Sequence, residues 1–302
     1  MNLSELIKQK ATETGFEACG IARIAPADTE AAFFDRWIRE GNHAGMKYME
    51  NYRDLRLNPA GLLEGARSVI SVALNYYPGR KLPHSVPHIA YYAYGKDYHD
   101  VLKKKLRELW QQIRAIAGGE ARVFTDSAPL LERYWAWKAG LGWIGKNTQL
   151  ILPGKGSYFF LGEILTTLEL EYDTPLKNRC GNCTRCLDAC PTGALTAPRQ
   201  LNAAACLSYL TIENREEIPA AQAALLGNRL YGCDTCQQAC PWNRFAVPTP
   251  VEDFHPAPAL FSLDKERLKN FSRDDYNRIF AGSAVKRAKY EGLLRTIRHL
   301  KD

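Results

Sequence analysis

Residues 180–191 read CGNCTRCLDACP, which places Cys180, Cys183, Cys186 and Cys190 ahead of Pro191 in a C-x2-C-x2-C-x3-C-P spacing. Three thiolates packed this closely wrap one corner of a [4Fe–4S] cubane, while the fourth, carried past a turn, faces away toward a second cluster. A second run, CDTCQQACP at 233–241, supplies Cys233, Cys236 and Cys240, but Leu230 stands where a counterpart of Cys180 would be. Cys206, between the two runs, restores the count to eight, which is two clusters of four. The crossing pattern predicts Cys180, Cys183, Cys186 and Cys240 around one cluster, and Cys190, Cys206, Cys233 and Cys236 around the other. Structural zinc suits this spacing less well, because it takes separated C-x2-C knuckles. Disulfides suit a reducing compartment poorly. The ninth cysteine, Cys19, sits in an apolar segment and reads as a small buried hydrophobe.

Outward from the cysteines, the chain is long enough for a substantial core. It has 302 residues, 46% hydrophobic and 24% charged, which excludes a disordered chain. No run reaches the length of a membrane span, and MNLSELIKQKATETG lacks the apolar centre of a secretory signal, so a cytoplasmic, membrane-free protein is expected. Residues 1–172 alternate helix and strand signals. Ser68–Tyr76 (SVISVALNY) has the composition of a central strand covered on both faces. Residues 97–117 place Leu102, Leu106, Leu109, Ile113 and Ile116 at helical spacing. Further strands are predicted near 19–24, 122–126 and 157–170, with a helix over 129–139. The fold class is therefore α+β. A layered α/β domain (1–172) precedes a ferredoxin-like two-cluster domain (173–247), then a Pro-rich linker and short helical tail (248–302).

Lys+Arg 40 against Asp+Glu 33 gives +7. Two clusters bound by eight thiolates would lower this to about +3. What remains is local: residues 101–117 hold five basic side chains and one acidic, and residues 286–302 hold six and two. Such faces suit a polyanion, although solvated helix faces commonly look the same.

Paired clusters form a wire for single electrons, and some 170 residues of separate domain imply a redox terminus beyond them. No G-x-G-x-x-G follows a predicted strand as a dinucleotide fold requires, and no C-x3-C-x2-C points to radical S-adenosylmethionine chemistry. Asp97-Tyr98-His99-Asp100-Val101-Leu102 only approximates the D-x-H-x-x-G of a cobalamin fold.

Three segments carry a resemblance: YAYGKDYH (92–99), FTDSAPLLER (124–133) and GLGWIGKNT (140–148), followed by the two cysteine runs in this order. Together they resemble epoxyqueuosine reductase over about residues 1–245. The resemblance implies an oxidoreductase with cobalamin and two [4Fe–4S] clusters, reducing epoxyqueuosine to queuosine at the wobble position of tRNA. It implies Asp126 as proton donor, a role burial would favour by raising the carboxyl's pKa; read locally, Asp126 or Ser127 caps a helix starting near Pro129. It places Tyr94, Gly95, Lys96, Lys146, Asn147 and Thr148 in segments around the corrin, with Gly142 and Gly145 allowing close backbone approach or simply making turns. Ser208, just after Cys206, is positioned to touch corrin, and Asn214 and Arg215 to meet tRNA. Many members continue into C-terminal helical repeats. AVKRAKYEGLLRTIRHL resembles the helix before them, so the grip on RNA is expected from the basic faces. A monomer served by an unidentified electron donor completes this reading. Two others compete: a reductive dehalogenase-like corrinoid enzyme acting on a small molecule, and a polyferredoxin-type electron carrier.

Overall fold

The computed structural model describes residues 2–300. Its centre is an antiparallel sheet of four strands, ordered Ala18–Arg23, Ser68–Asn75, Phe159–Thr166 and Ala121–Phe124. All eight residues of Ser68–Asn75 are buried, so the β-branched run does form an interior strand. The sheet's two faces follow from the two-residue period of a strand. Ile70, Val72 and Leu74 pack with Ile7, Leu102, Leu106 and Leu109 on one face, and Val69 and Ala73 pack with Tyr134, Trp135 and Leu165 on the other. Each such aliphatic side chain contributes about 1.5–3 kcal/mol on full burial.

Helix ends follow local chemistry. Asn2 and Glu5 form a reciprocal capping box at Leu3–Glu13. Asp97 caps Tyr98–Ala117 by accepting from the His99 amide, and Gly118, at φ 68°, ends that helix. Ile116 is 52% exposed, so the apolar stripe stops at Ile113.

One expectation is corrected, and the parts of the chain prove closely joined. The helix after Asp126 starts at Glu132 and runs to Lys138 with no side-chain cap, so neither Asp126 nor Ser127 caps it. Residues beyond 248 do not form a detached tail: Phe254, Leu260, Phe280, Val285 and Leu293 belong to the same core as Ile70 and Leu106. The cysteine region is likewise stitched to the first domain. Arg229–Tyr231 pairs in parallel with His88–Ile89, and the Tyr231 hydroxyl donates to the Ala284 carbonyl at 2.8 Å. These pairings join residues more than 50 apart, which local periodicity cannot reveal.

Candidate active site and cluster domain

The edge strand of the sheet, Ala121–Phe124, leads directly to Asp126. Phe124 ends its strand, and the chain turns sharply with Asp126 at φ 51°, a left-handed conformation that few residues other than glycine adopt. Thr125 anchors the turn by donating to the Leu161 carbonyl at 3.1 Å. The Asp126 amide donates to Glu132 Oε1, and its Oδ2 accepts from the Tyr98 hydroxyl. Tyr98 is held flat between His99 (centroids 4.1 Å apart) and Phe160 (4.3 Å). His99 stands with Nε2 3.5 Å from Asp126 Oδ2 and Nδ1 2.7 Å from Asp97 Oδ1. Despite these partners the Asp126 side chain remains 60% exposed, so the carboxylate is open to solvent.

The charges depart from the sequence expectation. Burial alone would raise the Asp126 carboxyl, but the hydrogen bonds with His99 and Tyr98 outweigh it and hold the carboxyl below its usual range. Burial opposes charge on His99 too, yet its bonds to Asp126 and Asp97 prevail and push the imidazolium up to about 9. The readily held proton therefore sits on His99 beside an ionised Asp126. Beyond them lie two carboxyls that the sequence reading missed. Glu132 is pushed up to about 8 by burial and by the Asp126 charge. Glu163, fully buried, is raised well above its ordinary value by burial and by Glu132. Tyr98 and His99 lay in a quoted segment, and the capping pattern around Asp97 was their available signal.

The cysteines fall into two places. Cys180, Cys183, Cys186 and Cys240 line one cavity with Lys146, Asn147 and Trp242. Elsewhere burial, then the charges of Cys233 and Cys190, raise the Cys206 thiol, and burial with Cys233 and Cys206 raises Cys236. All nine cysteines are free thiols. Among the described residues no three ligand side chains draw together around a single ion, whereas four sulfurs around a shared cavity suit a larger, polynuclear group.

The residues expected at a corrin divide. Tyr94 is buried in the core. A Cβ on Gly95 would lie 2.1 Å from the Asp253 carbonyl oxygen, and Lys96 pairs with Asp253 at 2.7 Å. Gly95 and Lys96 thus dock the 253–254 segment. Gly142 likewise approaches backbone, its Cβ position being 2.2 Å from the Ile151 carbonyl oxygen. Lys146 donates to the Gly181 carbonyl at 2.8 Å, and Asn147 to that of Cys236 at 3.3 Å. Arg133 donates to the Thr148 carbonyl at 2.8 Å. The 146–148 loop thereby bridges the Asp126 side of the domain and both cysteine runs. Ser208 lies in the first turn of Leu207–Ile212, directly after Cys206. Asn214 is buried and donates to the Glu216 carbonyl, bracing the chain, while Arg215 is exposed and donates to the carbonyls of Ile212 and Arg287.

Comparison with known proteins agrees with this geometry. Residues 179–243 match the model of a 4Fe-4S double cluster binding domain, and residues 56–127 match "Epoxyqueuosine reductase QueG, DUF1730", a stretch that ends one residue past Asp126. An epoxyqueuosine reductase of Cellulophaga algicola is 44% identical, covering 99% of this chain and 98% of the relative. One from Pseudomonas aeruginosa is 42% identical over 98% of this chain and 84% of its own length. The likeness thus continues past residue 245. Two solved epoxyqueuosine reductases, each 31% identical, cover 99% of this chain and 80% of theirs. One, with an epoxyqueuosine-modified tRNA-Tyr stem loop, superposes at TM-score 0.87. The other, from Bacillus subtilis with its catalytic aspartate loop swung out of the active site, superposes at 0.88. Among the described residues no helix is long and apolar enough to cross a membrane. The chain belongs to the epoxyqueuosine reductase family, with residues 179–243 as its double [4Fe–4S] cluster domain.

Proposed function

We propose that this chain reduces epoxyqueuosine to queuosine in tRNA with Asp126 and His99 as its proton-delivery pair. Turning an epoxide into an alkene and water consumes two electrons and two protons. Two [4Fe–4S] clusters and cobalamin, when bound, supply those electrons to the epoxide carbon. Cys180, Cys183, Cys186 and Cys240 would hold the outer cluster, and Cys190, Cys206, Cys233 and Cys236 the inner one. The cobalt cofactor would lie between Asp126 and the inner set, with Thr148 and Ser208 as its neighbours. The fit is supported by Asn147 and Arg133, which tie the 146–148 loop to both sides.

The protons are this chain's own contribution. Asp126 presents an ionised oxygen to solvent, and His99 Nε2, 3.5 Å from its Oδ2, carries the proton that Asp126 passes to the epoxide oxygen. Asp97 holds the imidazole through Nδ1, fixing which nitrogen faces Asp126. Because His99 is partly open to water, it can reload between the first proton and the second. Lys146, on the Gly181 carbonyl, steadies the loop of the outer set. The approach of His99 Nε2 to the solvent-open Asp126 carboxylate carries this reading. Its test is nucleoside analysis of epoxyqueuosine-containing tRNA after incubation with the cofactor-loaded protein and an artificial reductant. Queuosine should form, and an unchanged epoxide would sink the reading. A donor of single electrons, the cytoplasm as compartment and a monomeric state complete it; a solution mass near twice 34.0 kDa would overturn the last.

A further inference from the structure

Two carboxyls, Glu163 fully buried and Glu132 partly so, remain outside that mechanism. Glu163 lies in the middle of the Phe159–Thr166 strand, 0% exposed, and neither of its oxygens has a hydrogen-bond partner. Its register partner Ser71, on the same face of the neighbouring strand, also has an unpartnered hydroxyl. Glu132, above them at the start of its helix, gives Oε1 to the Asp126 amide. The nearby charges are few. His99 and Arg133 act weakly on Glu132, and Arg133 spends a donor on Thr148, while Asp126 repels both carboxyls. Two adjacent buried anions here would each cost several kcal/mol without a compensating cation. Protonating Glu163 removes one of those anions and the repulsion between the pair: Glu163 then donates to Glu132, and Glu132 keeps Oε1 as acceptor for the Asp126 amide.

We propose that Glu132, with Glu163 as its proton partner, is the positioning residue that locks the strained Asp126 turn and holds its carboxylate toward solvent. The left-handed Asp126 backbone is a conformation that persists only where its surroundings over-determine it. The Glu132 hydrogen bond at the Asp126 amide is the interaction that does so from the α-helical side, as Thr125 does from the strand side. Burial raises both carboxyls, Glu163 well above its ordinary value and Glu132 up to about 8, so the pair retains at least one proton at neutral pH.

The test is amide hydrogen exchange over residues 125–131 in the cluster-loaded protein, alongside steady-state kinetics. Glu132→Ala should speed exchange there about ten-fold, leaving Ser68–Asn75 unaffected, and lower kcat about a hundred-fold with little change in KM for tRNA. Glu132→Gln keeps an acceptor oxygen and should restore both. Unchanged exchange in the alanine variant, or equal loss in both variants, overturns the proposal. Should the alanine variant not fold, Glu163→Gln, a permanent donor, should keep the loop protected and abolish the change in its protection between about pH 6 and about pH 9; a native-like pH response overturns the pairing. Because exchange needs no turnover, a protected loop in a protein inert on epoxyqueuosine tRNA would fail the proposed function and leave this inference standing.

Discussion

His99 links two aspartates: Nδ1 is 2.7 Å from Asp97 and Nε2 is 3.5 Å from Asp126. Its pKa, up to about 9 from an ordinary 6.5, means the folded protein binds this proton more tightly than the unfolded chain. The resulting stability is complete below about 6.5 and lost as pH rises through about 9. Turnover should follow the same limb, constant toward neutrality and falling on the alkaline side. His99→Gln should move that fall to lower pH, as a pH–rate profile of single turnover would reveal; an unmoved limb would remove His99 from proton delivery.

Asp126→Asn preserves size and one acceptor while removing the carboxylate through which the proton passes. The variant should retain its cofactors, by visible spectrum, and lose about 10²–10⁴ in turnover, the usual share of a general acid. Near-native single-turnover rates would exclude Asp126 from the chemistry.

How far these residues were legible in the sequence depends on the range of the interaction that fixes each. The cysteine spacing, the buried Ser68–Asn75 strand and the Asp97-capped helix are local patterns, and each appears in the fold. Glu163 was invisible because FFLGEILT reads as an ordinary strand with one polar outward position. Only the pairing of that strand with residues 68–75 and 121–124, and the helix laid over it, put the glutamate inside. Gly95 shows the same effect of range. It lies in a segment that resembles one around the corrin, while the chain packed against it arrives 158 residues later, at Asp253.

Cys206 stands outside both regular runs, so its ligand role is the sharpest test of the crossed assignment. Cys206→Ala should leave about half the iron, since one of two clusters loses a ligand. A full iron content would refute the role.

The basic C-terminal face is only partly available to RNA. Arg295 is buried, donating to the carbonyls of Asn214, Glu216 and Leu210 at 2.8 to 2.9 Å, and Arg287 is held by Glu213 at 2.7 Å. Arg295→Ala would strand those three carbonyls at the end of the Leu207–Ile212 helix and should destabilise the fold by about 3 kcal/mol. Its measurable effect belongs in a denaturation midpoint, with tRNA affinity of the still-folded protein nearly unchanged.

Lys104, Arg107 and Arg114 are exposed on the Tyr98–Ala117 helix, the helix that also carries Tyr98 and His99 to Asp126. Charge on that face is therefore coupled to the active site by a rigid element. If it meets the phosphates, each contact releases about one counterion, so log affinity for tRNA should fall linearly with log salt. Replacing all three by Gln should reduce the slope by about 3, with turnover at saturating tRNA preserved. A slope unaltered by the triple change would assign the RNA grip to another face, because neutral substitutions on a solvated helix leave the fold and the Asp126 geometry intact.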